Sequence, residues 1–263
     1  MNNTSAENFP KDPPLARRPR AVVIGASSGI GAALTHHLAN QGMLVAALAR
    51  REDLLDSLCA EINAQAGEKR AVAYPHDVTD IESIPALFQR ILADLGGIDH
   101  LIYVAGATIP VAIDEFDLAK EQDMLQINLL GGIAWLGQAA ALFQTMKAGQ
   151  IVGISSVAAD RGRVTNPAYN ASKAGLDVYL EGLRNRLTRH GVHVLTVRPG
   201  FVDTDVLKAS KITFGVISPQ NAAAGVWRAM QKRRQLVYLP WWWRWLMLAI
   251  RLTPSFIFRR LSF

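Results

Sequence analysis

The fold of this chain is decided by the stretch AVVIGASSGIG at residues 21–31. It begins with a short apolar run, rich in β-branched side chains and closed by Gly25, which predicts a buried strand. The next glycines, Gly29 and Gly31, open a helix-like stretch that extends to Asn40. The sequence therefore predicts a strand, a tight glycine turn and a helix in direct succession.

This glycine turn has the properties of a dinucleotide site. Glycine lets backbone N–H groups approach a pyrophosphate, and the following helix offers its free donors and the positive end of its dipole. Glycines also occur where a strand merely ends, but a position between the first strand and a helix favours dinucleotide binding. The predicted cofactor-binding residues of the turn are Gly25, Ser27, Ser28, Gly29, Ile30 and Gly31.

Outward from this turn, apolar runs and amphipathic stretches alternate along the chain. Further strands are predicted at 43–49, 71–75, 99–106, 150–156, 192–200 and 235–240. Further helices are predicted at 51–67, 81–97, 121–146, 168–190 and 217–233. Apolar strands separated by helices imply a parallel sheet covered on both sides. The predicted fold class is α/β, a doubly wound parallel sheet of the Rossmann type, in a single domain at residues 20–240.

Composition limits the function classes. The 263 residues are 50% hydrophobic and 19% charged, which excludes wholesale disorder and low-complexity architectures. The single cysteine, Cys59, excludes an internal disulfide, and the six histidines have no metal-ligand spacing, so no metal is expected. Residues 1–19 lack the apolar core of a secretory signal. We therefore expect a flexible lead-in and a cytoplasmic protein.

The end of the second predicted strand bears on which dinucleotide binds. An acidic residue there would bond the ribose 2′-OH of NAD, whereas a basic residue suits the 2′-phosphate of NADP. The strand ends at Ala49 and is followed by Arg50 and Arg51. Because a guanidinium matches phosphate oxygens, the sequence favours NADPH over NADH, with Arg50 as the phosphate ligand. The alternative is a solvated arginine pair at a helix start.

Two residues further along have a spacing that suits proton transfer. Tyr169 and Lys173 are four residues apart at the start of a predicted helix, so they share one helix face. A free tyrosine has a pKa of about 10, and a neighbouring ammonium favours the phenolate and lowers that pKa. Tyr169 would then exchange a proton near neutral pH. Taken alone, such a spacing more often marks an ordinary surface pair.

In combination these motifs resemble the short-chain dehydrogenase/reductase family over about residues 20–240. The family's glycine pattern GxxxGxG is present in the turn. Its catalytic tetrad is matched in order and spacing by Asn128, Ser156, Tyr169 and Lys173. The remaining matches, all expected to contact the cofactor, are Asp77, Val78, Ala105, Gly106, Pro199, Gly200, Val202 and Thr204. Among these, Thr204 and the backbone near Val202 are expected to hold the carboxamide.

The resemblance implies an oxidoreductase that transfers hydride between a nicotinamide and a carbonyl or alcohol. It implies that Tyr169 gives a proton to the carbonyl oxygen and that Ser156 hydrogen-bonds the same oxygen. It also implies that Lys173 lowers the pKa of Tyr169 and bonds the nicotinamide ribose, and that Asn128 positions a water. Relatives are commonly dimers or tetramers, so a homodimer or homotetramer is expected.

Two positions depart from the family pattern. Ile24 stands where the family usually has a threonine, and Tyr103-Val104 stands where it has two asparagines. The missing polar groups normally brace the sheet and the cofactor turn, so the hydrogen bonding there is expected to differ. Because no tetrad residue is affected, the chemistry is expected to remain.

The C-terminal tail, residues 241–263, has a composition of its own. It is WWWRWLMLAIRLTPSFIFRRLSF, and residues 206–263 contain ten basic residues and no acidic one. Its apolar runs are shorter than the roughly 20 residues that span a bilayer. Tryptophan and arginine on an amphipathic helix favour contact with an anionic membrane surface. The alternative is packing on the domain or at a subunit interface, and a nucleic-acid partner is not expected.

Contact of the tail with a membrane surface predicts a lipophilic substrate, such as a 3-ketoacyl, sphingoid, isoprenoid or steroid-like carbonyl or alcohol. The segment expected to cover the substrate, residues 206–217, contains the apolar residues Val206, Leu207, Ile212 and Phe214. The alternative function is a non-catalytic NADP(H)-binding sensor or scaffold that retains the fold. The intact tetrad argues against that alternative, and the glycine spacing argues against a sugar-nucleotide epimerase or dehydratase.

Overall fold

The computed structural model describes residues 18–204 and 214–260 of the chain. One parallel sheet has the strand order β3-β2-β1-β4-β5-β6-β7. Its strands are β1 (Arg20–Ile24), β2 (Leu44–Ala49), β3 (Ala71–Pro75), β4 (His100–Tyr103), β5 (Gln150–Ile154), β6 (His193–Pro199) and β7 (Leu236–Leu239). The predictions for residues 1–17, for Val206, Leu207 and Ile212, and for residues 261–263 lie outside the described residues.

Helices cover both faces of the sheet. One face carries α1 (Gly29–Asn40), α2 (Glu52–Ala66) and α7 (Pro219–Gln231), and the other carries α3 (Ile84–Leu95), α5 (Gly131–Met146) and α6 (Pro167–Leu187). Strand residues alternate between the two apolar cores, as in β1, where Val22 and Ile24 face one core and Ala21 and Val23 face the other. The predicted doubly wound α/β fold is confirmed.

The remaining helices are short. They are α4 (Leu118–Leu125), a π-helical segment (Gln126–Leu130), two 3-10 helices (Val157–Asp160 and Thr188–His190), α8 (Trp243–Leu252) and α9 (Ser255–Phe258). The predicted long helix at 121–146 is confirmed as the continuous helical stretch Leu118–Met146, which contains the π-helical segment around Asn128. It begins at Leu118 rather than at 121, since Asp117 caps α4 by accepting from the N–H groups of Ala119 and Lys120.

At the carboxyl ends of the parallel strands, β4 and β5 are shorter than predicted. β4 ends at Tyr103 rather than at 106, because Val104 and Ala105 both donate their backbone N–H groups to the Ile24 carbonyl, each at 2.8 Å. β5 likewise ends at Ile154, before the predicted end at 156. The residues beyond these strand ends form loops at one edge of the sheet, where ligands of this fold class bind.

One helical stretch of the described chain, Leu118–Met146, is long and apolar enough to cross a membrane by length and composition. Its side chains Trp135, Leu136 and Phe143 are fully buried against the sheet. Burial of this kind is the ordinary property of a core helix in an α/β domain.

Candidate active site

The glycine turn lies where the strand order reverses. β1 and β4 are neighbours although they are not consecutive in the chain, and a crevice opens at their carboxyl ends. A Cβ on Gly25 would lie 2.5 Å from the Ala105 nitrogen, and one on Gly31 would lie 1.9 Å from the Gly25 oxygen. Side chains do not fit at these two positions, so the turn forms an open backbone cradle of the kind that a pyrophosphate needs.

The crevice is a cleft of about 680 Å³, a normal size for a small-molecule or cofactor site. Most of the predicted site residues line it. They are Gly25, Ser27, Ser28, Gly29, Ile30, Gly31, Arg50, Val78, Ala105, Gly106, Ser156, Tyr169, Lys173, Pro199, Gly200, Val202 and Thr204. Asp77 instead turns toward Thr79, whose N–H it accepts at 2.9 Å, and toward Arg50. Asn128 lies buried beside the cleft.

The two arginines after β2 both line the cleft, but their contacts differ. Arg51 lies over the glycine turn, where its Nη2 atom donates to the hydroxyls of Ser27 at 3.0 Å and Ser28 at 2.7 Å. Arg50 is exposed, with its Nη1 atom 3.7 Å from Asp77 Oδ2. The sequence predicts Arg50 alone as the phosphate ligand, and the structure adds Arg51 as a second candidate.

Ser156 and Tyr169 face the cleft from two different elements. Ser156 caps the first 3-10 helix, where its Oγ atom accepts from the Ala158 N–H at 3.1 Å. Asn166 caps α6 by accepting from the Tyr169 N–H at 3.1 Å, and its Nδ2 atom donates to the Ile109 carbonyl at 2.8 Å. The bonds of Asn166 fix the start of α6, and with it Tyr169, relative to the loop after β4.

The net direction of the Tyr169 pKa is opposite to the expected one. Burial raises this pKa, while hydrogen bonding from Ser156 and Thr108 and the charge of Arg163 act in the other direction. The resemblance implied a Tyr169 pKa lowered by Lys173. Because the net shift is upward, Tyr169 is a neutral phenol near neutral pH, which is the form that can donate a proton.

Lys173 lies one helical turn beyond Tyr169 and is nearly fully buried. Its Nζ atom donates to the Ile154 carbonyl at 3.2 Å. Burial lowers the pKa of Lys173 to about 8, and the negative charge of Asp177 partly opposes that shift. A Cβ on Gly106 would lie 3.0 Å from Nζ, so the glycine after β4 gives the ammonium its place in the cleft.

Asn128 joins the loop after β4 to α6. Its Oδ1 atom accepts from the Ala107 N–H at 2.7 Å, and its Nδ2 atom donates to the Ala107 carbonyl at 2.9 Å and to Ser172 Oγ at 3.0 Å. The π-helical segment places this side chain, and π turns of this kind are frequent at functional sites. Through these bonds Asn128 positions the helix that carries Tyr169.

The two departures from the family pattern have structural substitutes. Tyr103 is fully buried, and its hydroxyl donates to the carbonyl of Ile127, the residue before Asn128. The Ile24 side chain is fully buried in the core, while its carbonyl accepts the two N–H groups that turn the chain after β4. The bracing that polar side chains would supply is therefore provided by one phenol and by the backbone.

Sequence reasoning missed several groups around the tetrad. Thr108 and Arg163 line the cleft near Tyr169, but they lie on loops where no spacing rule points to them. Behind Lys173, the Arg198 guanidinium bonds Asp177 Oδ2 at 2.6 Å and Asp160 Oδ1 at 2.8 Å. This buried charge network ties β6, α6 and the 3-10 helix after Ser156 into one rigid wall.

Thr204 closes the opposite side of the cleft. A Cβ on Gly29 would lie 2.8 Å from Thr204 Cγ2, so the loop after β6 approaches the glycine turn closely. The Thr204 hydroxyl donates to the Val202 carbonyl at 3.3 Å, and Val202 pairs with Ile217 in an isolated parallel bridge. A dinucleotide would therefore lie between the loop after β1 and the loop after β6.

Comparison with known proteins agrees with this geometry. Residues 19–213 match the family model for short chain dehydrogenase. The ketoacyl reductase HetN of Nostoc is 31% identical over 219 residues, covering 81% of this chain and 75% of that protein. A fatty acyl-CoA reductase of Acinetobacter baylyi is 32% identical over 217 residues, covering 81% and 73%. A short-chain dehydrogenase from Sphingobium yanoikuyae, solved in complex with NADPH, has a TM-score of 0.78 at 24% identity and covers 88% and 92%.

Proposed function

The chain belongs to the short-chain dehydrogenase family, and on that premise we propose that it is an NADPH-dependent reductase of lipophilic carbonyl compounds. Family membership makes it an NAD(P)-dependent oxidoreductase acting on alcohol or carbonyl groups. The observation that carries the finer proposal is the convergence of Ser156, Tyr169 and Lys173 on a cleft whose floor is the glycine cradle. The cytoplasmic location of the protein and its homodimeric or homotetrameric state stay predictions.

The residues of the cleft fit a nicotinamide dinucleotide. Gly25, Gly29 and Gly31 form the cradle that side chains would fill, and Thr204 faces it from across the cleft. When bound, the nicotinamide supplies a hydride for a carbonyl carbon. The buried ammonium of Lys173 is the candidate ligand for the nicotinamide ribose, since it is a donor that reaches the cleft.

The protein's own part is to hold the carbonyl oxygen and protonate it. Burial keeps the Tyr169 hydroxyl protonated, so this group can donate its proton to the oxygen as negative charge develops there. Ser156, on the same wall of the cleft, can hydrogen-bond that oxygen and stabilise the charge. Asn128 acts as a positioning residue, because its side chain holds α6 against the loop after β4.

The preference for NADPH rests on the end of β2. Arg50 and Arg51 both line the cleft, and the guanidinium of Arg51 already bonds the hydroxyls of two residues in the glycine turn. A 2′-phosphate in this place would meet two guanidinium groups, which form strong charge-assisted hydrogen bonds with phosphate. The solved neighbour with NADPH is consistent with this preference.

The lipophilic substrate is supported by the other end of the cleft. Its lining there includes Pro110, Val111, Val157, Phe201 and Val202. Two relatives are named for acyl substrates, as a ketoacyl reductase and a fatty acyl-CoA reductase. An apolar lining with a few convergent polar groups is the usual form of a site for such ligands.

Turnover of a defined panel tests this function. The purified chain is incubated with NADPH or NADH and with long-chain ketones, 3-ketoacyl thioesters and short polar ketones, and the loss of reduced nicotinamide is followed. We expect turnover of the long-chain compounds with NADPH, and a turnover lower by about two to four orders of magnitude in Tyr169→Phe. Tight NADPH binding without turnover of any compound would instead support the non-catalytic sensor.

A further inference from the structure

The tail packs on the domain through one face of α8. Trp243 and Met247, one turn apart, are buried, and Ile250 packs beside them. A Cβ on Gly200 would lie 1.9 Å from the Trp243 indole nitrogen, so the indole lies directly against the loop after β6. The inner face of the tail therefore supports one wall of the cleft.

Arg161 fixes the tail in this place. Its guanidinium donates to the carbonyls of Ile250 and Thr253, the latter at 2.6 Å, and lies 3.7 Å from the centre of the Phe258 ring. Arg161 directly follows the 3-10 helix that Ser156 caps. The outward surface of the tail consequently has a defined orientation relative to the active site.

In the described part of the tail, residues 241–260, the outward surface is apolar and exposed. Its exposed large apolar side chains are Trp241, Trp245, Leu246, Leu248, Leu252, Phe256 and Ile257. Trp245, Leu248 and Leu252 are three and four residues apart, so they share the side of α8 opposite Trp243 and Met247. We call these three residues the outer face. A helix that is apolar on both sides is normally buried on both sides.

Positive charge flanks the outer face. Arg244 and Arg251 lie seven residues apart on one flank of α8, and Arg259 and Arg260 follow α9. Arg251 remains half-exposed although its Nη1 atom lies 3.7 Å from Asp160 Oδ1. Residues 206–263 contain ten basic residues and no acidic one. We propose that the outer face docks on an anionic lipid bilayer, with its tryptophans at headgroup depth and the arginines against lipid phosphates.

Charge and composition favour lipid over the other occupants. In a symmetric dimer through this face, the same arginines of both copies would approach one another, and like charges oppose such pairing. A nucleic acid would meet the arginines but would leave Trp245, Leu248 and Leu252 without apolar partners. An anionic bilayer surface satisfies both the apolar side chains and the charges.

A chain of aromatic rings links the inner face of the tail to the cleft, whose lining includes Phe201. The Phe214 and Trp242 rings are 5.6 Å apart, Trp242 stacks on Trp243 at 4.8 Å, and Trp243 meets Phe201 at 5.4 Å. Docking itself does not depend on the proposed function, whereas delivery of substrate from the bilayer rests on it.

Vesicle co-sedimentation of the full chain tests the docking without any turnover. The protein is mixed with phosphatidylglycerol vesicles or phosphatidylcholine vesicles over a range of salt, and the bound fraction is measured. We expect binding to the anionic vesicles that weakens with salt, and an affinity lower by about tenfold in Trp245→Glu and in Leu252→Glu. Leu54→Glu is the matched control, because Leu54 is also exposed but lies on α2 near the opposite edge of the sheet.

Three results would overturn the proposal. They are no binding to anionic vesicles at low salt, equal binding by the wild type and both outer-face variants, and a dimer in solution that Trp245→Glu dissociates while no vesicle binding occurs. Far-UV circular dichroism and urea unfolding of each variant show that it is folded, independently of cofactor binding. Quenching of tail tryptophan fluorescence by brominated lipid, reduced in Trp245→Phe, adds a measurement that a folding defect would not imitate.

Discussion

Lys173 and Tyr169 face one cleft from successive turns of α6, with the Lys173 Nζ atom 6.0 Å from the centre of the Tyr169 ring. Burial acts on both groups in the direction that favours the neutral form: it raises the pKa of the phenol and lowers that of the ammonium. The tyrosine is thereby kept as a proton donor, which suits reduction of a carbonyl.

Removal of the Tyr169 hydroxyl should abolish the chemistry and spare the cofactor site. In Tyr169→Phe the ring remains, so the packing of α6 is retained while the proton donor is lost. We expect kcat to fall by about two to four orders of magnitude, with NADPH affinity within about twofold of wild type. Steady-state kinetics and a fluorescence titration check both values. Wild-type turnover in this variant would refute the proposed role.

Lys173 should give the unfolding free energy a pH dependence in the alkaline range. Its pKa is about 8 in the folded protein and about 10.4 for a free lysine. Between these values the unfolded chain binds a proton that the folded chain lacks, so this group makes folding more favourable as pH rises. We expect a gain of about 1 kcal/mol from about pH 7 to about pH 9.

The measurement is urea unfolding of the wild type and Lys173→Met at both pH values. Taking the difference between the two proteins removes the contributions of the other alkaline groups, such as Cys59, whose pKa burial raises to about 11. A difference that does not change with pH would show that Lys173 is not a buried ammonium.

The arginines after β2 should set the choice of cofactor. Arg51→Ala and Arg50→Ala each remove a guanidinium from the cleft beside the glycine turn. We expect each to raise the Kd of NADPH by about tenfold and to leave that of NADH within about twofold. Arg90→Ala is the control, since Arg90 is exposed on α3 and pairs with Asp94. Equal losses for both cofactors would contradict the phosphate role.

The glycine cradle should tolerate no side chain. In Gly31→Ala the added Cβ would lie 1.9 Å from the Gly25 oxygen, so the turn must move. We expect a destabilisation of about 1–3 kcal/mol and loss of cofactor binding. Gly182→Ala is the matched control, because a Cβ there meets nothing within 4 Å and alanine is the better helix former. Cofactor binding by Gly31→Ala at wild-type affinity would disprove the cradle.

Neighbouring tryptophans of the tail should differ in their effect on stability. Trp243 is 5% exposed against the loop after β6, whereas Trp245 is 58% exposed on the outer face. We expect Trp243→Ala to cost about 3–5 kcal/mol of unfolding free energy and Trp245→Ala to change it by less than about 0.5 kcal/mol. Denaturant unfolding measures both. Similar losses in the two variants would show that the tail does not pack as described.

The sequence predicted the parts of the site that local motifs carry. The glycine turn could be recognised because it follows a buried strand and opens a helix, and the Tyr169–Lys173 spacing because one helix face holds both residues. The sequence predicted a doubly wound parallel sheet but not the order of its strands. β4 ends earlier than predicted because backbone N–H groups of the next loop bond the Ile24 carbonyl, a contact between distant segments.

Other parts depended on tertiary contacts that no spacing rule contains. Arg51 and Arg50 are adjacent in the sequence, and only the folded turn shows which guanidinium reaches Ser27 and Ser28. Apolar residues lie on both sides of α8, so the sequence could not show which side packs against Gly200 and which side stays exposed. The tail therefore combines both interpretations, since its inner face packs on the domain and its outer face remains available for lipid.

The most direct test of the central claim is a paired titration of the purified chain with NADPH and NADH, followed by protein fluorescence. The account predicts saturable binding of both cofactors at one site, with NADPH bound at least about tenfold more tightly. Failure to bind either cofactor, or a tighter complex with NADH, would contradict the assignment of this cleft to an NADPH-dependent reductase.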